Sequence, residues 1–248
     1  MKNTVIEKYK GALAILAKKP ILLWGLSLLS QLLMCLAALF GVLPIISLPI
    51  AFALEAGLCM LYLKGYRGEE VSSADLFTGF KKFMHTAGGM AWMYLWVFIW
   101  ALIPVAGIVF AIIKAYEYAF VPYILINEPE VGATEALKKS KGMTNGIKAK
   151  MFWSEFVASA AVAVVCLILG LFAEIPYIGG IFGLVLFVVD IVCALFMPIF
   201  LGLIRAGFYD TAHKAETPMI LPELSEEVPI VEAEVVSEEV PVEDAPAE

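Results

Sequence analysis

The fold is decided by residues 21–63, which read ILLWGLSLLSQLLMCLAALFGVLPIISLPIAFALEAGLCMLYL. Glu55 is the only charged residue in this stretch. About 20 apolar residues in a helix cross a hydrocarbon core about 30 Å thick, so the stretch is long enough for two spans. Gly41 and Pro44 fall near its middle, where glycine permits and proline favours a turn. The stretch therefore predicts a hairpin of two transmembrane helices.

The same pattern occurs twice more along the chain. Apolar blocks cover residues 88–126 and 156–204, and Pro/Gly-containing breaks at 103–107 and 175–180 divide each of them near its midpoint. The composition agrees, since 61% of the residues are hydrophobic, against about 45–50% in a soluble domain. We predict an all-α, polytopic membrane bundle of about six transmembrane helices in three hairpins.

The basic residues predict the orientation of these hairpins. Of the 17 Lys and Arg residues, only Lys114 lies inside a predicted span, and the three hairpin turns contain none. Loops rich in Lys and Arg stay in the cytoplasm. Both termini are therefore predicted to be cytoplasmic, in a multi-pass protein of the cell membrane.

A basic amphipathic segment precedes each hairpin, at residues 9–19, 73–84 and 133–143. In the second segment, Leu76 and Phe80 share one helical face and Lys81 lies on the polar side. We expect helices in the cytoplasmic interface, with their lysines near anionic lipid headgroups. The alternative is a set of solvated connecting helices.

The end of the chain differs in composition from the rest. Residues 215–248 contain eleven Asp or Glu residues and no Lys or Arg. We predict a six-span membrane domain over residues 1–214 and a disordered acidic cytoplasmic tail over 215–248. The net charge of −7 reflects this tail, so it does not indicate a nucleic-acid partner. The tail serves either to increase solubility or to contact a protein partner.

Several polar residues fall near the middle of predicted spans. Such groups are costly in lipid and usually face a partner or a cavity. The candidate intramembrane polar cluster consists of Gln31, Glu55, Lys114, Glu117, Tyr118 and Asp190. Lys114 and Glu117 are three residues apart on one helix and can reach each other. The cluster is either a pathway for an ion or small solute, or a set of charges that ties helices together.

Small residues recur every four positions on the fourth predicted span, at Gly107, Ala111, Ala115 and Ala119. Small side chains in this register let another helix approach closely. We therefore expect this span to pack centrally in the bundle.

Motifs of enzyme chemistry are missing from the sequence. It contains no phosphate-binding glycine loop, no dinucleotide fingerprint, no HExxH and no GxSxG. We predict no enzymatic activity, and we nominate no catalytic, cofactor-binding or metal-binding residue.

Two segments resemble a known signature: KAYEYAFVPYILINEPE at residues 114–130 and EALKKSK at 135–141. The matching positions are Lys114, Tyr118, Pro122, Tyr123, Asn127, Pro129, Ala136, Leu137, Ser140, Lys141, Gly146, Lys148 and Phe152. The signature is similar to that of a bacterial family of multi-pass integral membrane proteins catalogued as a domain of unknown function. It is also distantly similar to the membrane portion of some glycerophosphodiester phosphodiesterases. Glu117 and Thr144 depart from the pattern, which has a small polar residue and a methionine there.

The resemblance implies a bacterial plasma membrane protein. We expect a non-enzymatic membrane protein that organises the bilayer or serves as an accessory subunit. The alternative is a small-solute or ion transporter. Convergence of Glu55, Lys114, Glu117 and Asp190 on one water-accessible cavity would favour the transporter.

Overall fold

The computed structural model of the protein describes residues 2–18, 20–39, 44–104 and 106–226. Every regular element in these ranges is helical, which confirms the predicted all-α class. The helices are α1 (Lys2–Lys18), α2 (Pro20–Leu39), α3 (Pro44–Arg67), α4 (Ser73–Leu76), α5 (Phe83–Ala101), α6 (Gly107–Glu117), α7 (Val121–Asn127), α8 (Ala133–Met143), α9 (Lys148–Ala173) and α10 (Gly179–Glu226), with a 3₁₀ turn at Thr78–Phe80.

Among the described residues, four helical segments are long and apolar enough to cross a membrane. They are Ser47–Arg67, Gly107–Asn127, Lys148–Ala173 and Gly179–Glu216. A fifth is reached if α1 and α2, which meet at a bend of 96°, count as one span. Helix α5, which contains the third predicted span, is not among them.

Helices that are neighbours in sequence pack against each other in three pairs, namely α2 with α3, α5 with α6, and α9 with α10. The α9–α10 pair has the most exposed apolar surface. No residue in the most apolar window of α9 is buried, and only 6% of that of α10 is. Large apolar side chains that would be costly in water therefore cover both helices.

The core of the molecule surrounds the short helix α7. Five of its residues are buried: Val121, Pro122, Tyr123, Ile124 and Leu125. Helix α7 contacts α3, α5 and α8, and the ring of Tyr123 stacks on that of Tyr209 from α10 at 4.5 Å. The fourth predicted span is therefore central only in its second half.

The fourth predicted span is broken at residues 118–120, where α6 ends and α7 has not yet begun. This break interrupts the predicted four-residue register of small residues, so Ala119 does not lie on α6. Gly107 is buried, whereas Ala111 and Ala119 are half-buried and Ala115 is exposed. The register does not form one buried face, because Ala115 is exposed and Ala119 lies beyond the end of α6 at Glu117.

The three predicted amphipathic segments are helical to different degrees. Helix α8 has the predicted bounds, Ala133–Met143, and α1 contains nearly all of residues 9–19. The segment 73–84 instead forms α4, the 3₁₀ turn and the start of α5. A side chain at Gly57 would collide with the carbonyl oxygen of Leu76, and one at Gly79 with that of Ala53. This segment is therefore held against α3 at backbone contact.

The last helix is longer than the sixth predicted span. The backbone of α10 continues past residue 214 to Glu226. The rest of the predicted disordered tail, residues 227–248, lies outside the described residues.

Candidate functional site

The centre of the candidate site is the carboxylate of Glu117, at the last residue of α6. Its side chain is 8% exposed. One carboxylate oxygen accepts a hydrogen bond from Nζ of Lys114 at 2.7 Å, and the other accepts one from Nζ of Lys148 at 2.7 Å. The predicted contact between Lys114 and Glu117 is formed, and Lys148 of α9 is a second partner of the same carboxylate.

Two hydroxyl groups of α8 stabilise the break between α6 and α7. Ser140 donates to the backbone carbonyl of Glu117 at 2.8 Å and accepts a hydrogen bond from the backbone N–H of Phe120 at 3.2 Å. Thr144 donates to the same carbonyl at 3.3 Å. A broken helix leaves backbone groups without partners, and away from water these need substitutes. Helix α8 supplies them.

The ammonium group of Lys114 also lies against aromatic rings. Its Nζ is 5.0 Å from the ring centroid of Trp100 and 5.9 Å from that of Tyr118. A cation within about 6 Å of an aromatic face is attracted by the ring quadrupole. Lys114 is thus stabilised by one carboxylate and two rings.

A second ion pair, between Arg205 and Glu155, lies beside the one centred on Glu117. The guanidinium of Arg205 donates two hydrogen bonds to the carboxylate of Glu155, through Nε at 2.9 Å and Nη2 at 2.8 Å. The hydroxyl of Tyr116 donates to the same carboxylate at 2.8 Å. Because Tyr116 and Glu117 are adjacent, the end of α6 contacts both charged groups.

We call these residues together the polar belt; it joins α6, α8, α9 and α10. Its members are Lys114, Tyr116, Glu117, Ser140, Lys148, Glu155 and Arg205. Both oxygens of each carboxylate already accept hydrogen bonds from cationic or hydroxyl groups. This pairing with cationic and hydroxyl groups favours a structural tie between helices over a group that exchanges protons with a substrate.

The sequence analysis did not identify Glu155 and Arg205 as site residues. A signal was present, because Glu155 is a lone carboxylate in the apolar helix Lys148–Ala173. Arg205 was counted with the residues that follow the last span. The helix that carries it continues unbroken, which places it inside α10.

The other predicted polar residues have direct partners outside the polar belt. Glu55 accepts hydrogen bonds from the hydroxyl of Tyr94 at 2.6 and 2.8 Å, and it also interacts electrostatically with Arg205 of the polar belt. Asp190 is exposed and accepts a hydrogen bond from the thiol of Cys166 at 3.4 Å, and Gln31 is half-buried. Within the described ranges, no hydrogen bond or ion pair connects Glu55, the Lys114–Glu117 pair and Asp190. The predicted cluster is therefore not joined by direct contacts.

Further ion pairs join the end of α3 to α4 and to α10. Lys64 donates to Asp75 at 2.6 Å, and Arg67 donates to Asp210 at 2.7 Å. Burial would raise the pKa of Asp75. The hydrogen bonds from Lys64 and from the backbone N–H of Ser72 outweigh that effect and hold this pKa below its usual value.

The polar belt coincides with the resemblance noted in the sequence. Lys114, Ser140 and Lys148 are among the matching positions, and all three contact Glu117. Thr144, the other departing position, also contacts Glu117. The two departures from the pattern are thus neighbours in space.

Comparison with known proteins places the chain in one family. No curated protein and no solved structure matches it, and the likeness to the phosphodiesterase membrane portion stays a prediction. A family model matches residues 8–182. The chain therefore belongs to the family described as "Protein of unknown function (DUF975)".

Proposed function

We propose that this protein is a non-enzymatic integral membrane protein that organises lipid around a basic cytoplasmic face. In this proposal, six helices in three hairpins cross the plasma membrane of a bacterium, and both termini are cytoplasmic. The observation that carries the proposal is the exposed apolar surface of α9 and α10, which adjoins segments rich in lysine.

The apolar surface has the extent that a bilayer requires. Helix α9 has 26 residues, and a helix rises about 1.5 Å per residue, so it is about 39 Å long. Its exposed side chains include Val164, Leu167 and Leu171, and those of α10 include Leu184 and Phe187. Burying such side chains contributes about 25 cal/mol per Å² of apolar area. Lipid is the environment that supplies this burial.

The exposed lysines of the predicted cytoplasmic segments favour anionic headgroups. Lys10, Lys81, Lys138 and Lys141 are exposed, and none of their ammonium groups makes an ion pair with a described residue. They belong to the three predicted amphipathic segments. Lysines near a membrane surface attract anionic lipids, each by about 1 kcal/mol.

The polar belt supports a scaffold more than a transporter. Both oxygens of each carboxylate accept hydrogen bonds from Lys114, Lys148, Tyr116 or Arg205. Among the described residues, no hydrogen bond or ion pair joins Glu55 or Asp190 to the Lys114–Glu117 pair, so direct contacts give no support to the convergence that would favour transport. The structural role of the polar belt is equally compatible with an accessory subunit. In that case the acidic residues 215–248 would contact a basic protein partner.

A vesicle experiment tests lipid organisation. The protein is reconstituted into phosphatidylcholine vesicles that contain a small fraction of fluorescent phosphatidylglycerol, and self-quenching of the fluorophore is measured. We expect the protein to increase self-quenching, because its lysines concentrate the anionic lipid. A variant with Lys10, Lys81, Lys138 and Lys141 changed to Gln should lose most of the effect.

A matched variant serves as the control. Changing Glu69, Glu70 and Glu135, which are exposed, to Gln keeps every lysine and should leave self-quenching unchanged or increase it. Equal self-quenching with and without the protein would contradict the proposal.

A further inference from the structure

A cavity of about 260 Å³ lies between α5, α6 and α8. Its lining combines one face of α5 with basic residues of the other helices. The α5 face consists of Trp92, Trp96 and Trp100, spaced by four residues, and the basic residues are Lys114, Lys138 and Lys141.

The charge of the cavity is unbalanced. Three lysines line it, and no carboxylate does. Glu117 lies behind Lys114, but it is shared with Lys148. The ammonium groups of Lys138 and Lys141 make no hydrogen bond to a described residue, so they can bind an anion. The cavity thus carries excess positive charge.

Neutral donors accompany the lysines. Tyr118 and Thr134 line the same cavity, and neither hydroxyl has a hydrogen-bond partner among the described residues. A phosphodiester has two non-bridging oxygens that share one negative charge and accept several hydrogen bonds at once, and ammonium and hydroxyl donors suit it. The donor set therefore matches a phosphate group.

The wall of the cavity favours a lipid over a free anion. Three indole rings offer an amphipathic surface of the kind found at membrane–water interfaces. On the same helix, Leu95, Phe98 and Ile99 are exposed and give acyl chains a place to pack. The volume holds a phosphate and a glycerol unit, while the chains lie outside on α5.

We propose that this cavity binds the headgroup of one anionic phospholipid, with Lys138 and Lys141 holding the phosphate and the tryptophan face of α5 holding the glycerol region. The inference rests on the proposed membrane location, and it adds a specific site and a ligand class to the general attraction between lysines and lipid.

Tryptophan fluorescence tests the proposal. Changing Trp24 and Trp153 to Phe leaves only the three cavity tryptophans as fluorophores, because the chain has five. The protein is reconstituted into a series of phosphatidylcholine vesicles that contain increasing mole fractions of brominated lipid, either phosphatidylglycerol or phosphatidylcholine. We expect brominated phosphatidylglycerol to quench at about fivefold lower mole fraction for each lysine that binds it.

Two double variants locate the effect. In K138Q/K141Q the two brominated lipids should quench equally, because the residues that hold the phosphate are gone. In K10Q/K81Q, which removes two exposed lysines from other segments, the preference for phosphatidylglycerol should remain. A preference that survives in K138Q/K141Q, or one that is lost in both variants, would overturn the assignment.

Two further outcomes separate the site from its alternatives. A change in tryptophan emission when inorganic phosphate replaces chloride at equal ionic strength, in lipid-free detergent, would make the ligand a free anion and overturn the lipid assignment. Quenching by neither brominated lipid would contradict the membrane location itself. Equal quenching by both lipids in the wild-type background contradicts only the site.

Discussion

Nζ of Lys148 lies 2.7 Å from the carboxylate of Glu117, a contact between residues 31 positions apart that joins the end of α6 to the start of α9. The same carboxylate binds Lys114. Glu117 is therefore the shared anion of two lysines. Removing its charge leaves two ammonium groups without a partner, whereas removing either lysine leaves the other pair intact.

This arrangement predicts an asymmetry among single substitutions. Glu117→Gln should lower the free energy of unfolding by about 2–3 kcal/mol, less than for a fully buried pair because Lys148 is partly exposed. Lys114→Met and Lys148→Met should each cost less than Glu117→Gln. Thermal melting in nanodiscs measures the three values. Glu135→Gln, on the exposed face of α8, is the control and should stay within about 0.5 kcal/mol of wild type.

A double-mutant cycle isolates one of the two pairs. The effects of Lys114→Met and Glu117→Gln should differ from additivity by more than about 0.5 kcal/mol, the usual limit for independent sites. Additive effects would show that Lys114 and Glu117 do not stabilise each other. Trp100 and Tyr118 would then be the groups that stabilise Lys114.

The stability of the Arg205–Glu155 ion pair depends on the geometry of its hydrogen bonds as well as on charge. Arg205 makes two hydrogen bonds to Glu155, and a lysine cannot reproduce this fork. Arg205→Lys should therefore lower the melting temperature nearly as much as Arg205→Met, a loss of about 2 kcal/mol in stability. Arg205→Lys with wild-type melting would show that only the charge matters. Lys214→Met, which removes an exposed partner of Asp210, should have a much smaller effect.

The contact between α3 and the segment after it predicts a difference among glycines. Gly57→Ala and Gly79→Ala each place a methyl group against a backbone carbonyl, which cannot move as a flexible side chain can. We expect each to cost more than about 2 kcal/mol. Gly88→Ala in α5 meets no atom within 4 Å and should be neutral or stabilising, since Ala favours a helix by about 1 kcal/mol over Gly. Equal melting of all three variants would contradict the close approach.

Asp75 predicts a pH dependence of stability. Its pKa is lowered in the folded protein, so its contribution is fully present above the pKa of the unfolded chain, about 3.9. The contribution is lost as pH falls through the lower folded pKa. Asp75→Asn should cost about 1 kcal/mol at neutral pH, since solvent screens the partly exposed Lys64. The melting temperatures of wild type and variant should converge as pH falls below about 4, and a constant difference would show that charge is not the cause.

The all-α class could be predicted because apolar runs of the length of a span leave few alternatives to helices. The pair of Lys114 and Glu117 could also be predicted, since residues three apart on a helix meet. The sequence could not assign Lys148, Glu155 and Arg205 to the same site as this pair. Packing between distant segments decides which helices lie side by side, and the sequence pattern of one helix does not show that packing. Helix α8 was placed correctly by its amphipathic pattern. The sequence identified Ser140 only as a matching position of the resemblance, because its role depends on a break in another helix.

The small-residue register shows a different limit. Gly107 and Ala119 share a face only while the helix is continuous, and the break after Glu117 separates them. Pro122 is the second residue of α7, which follows this break. Helix α7 is therefore buried in the core, whereas most of α6 is not. The four-residue spacing of small residues does not predict this difference.

The central claim is that three hairpins cross the membrane and that both termini are cytoplasmic. Topology reporters test it most directly. Fusions after Ser72, Gly132 and Glu216 should report the cytoplasm, and insertions at Pro104 and Tyr177 should report the outside, because basic residues flank every hairpin and the turns have none. The insertion at Pro104 is the most demanding, since α5 is not among the described helices that are long and apolar enough to cross a membrane. A cytoplasmic signal at Pro104 or Tyr177 would contradict the six-span account.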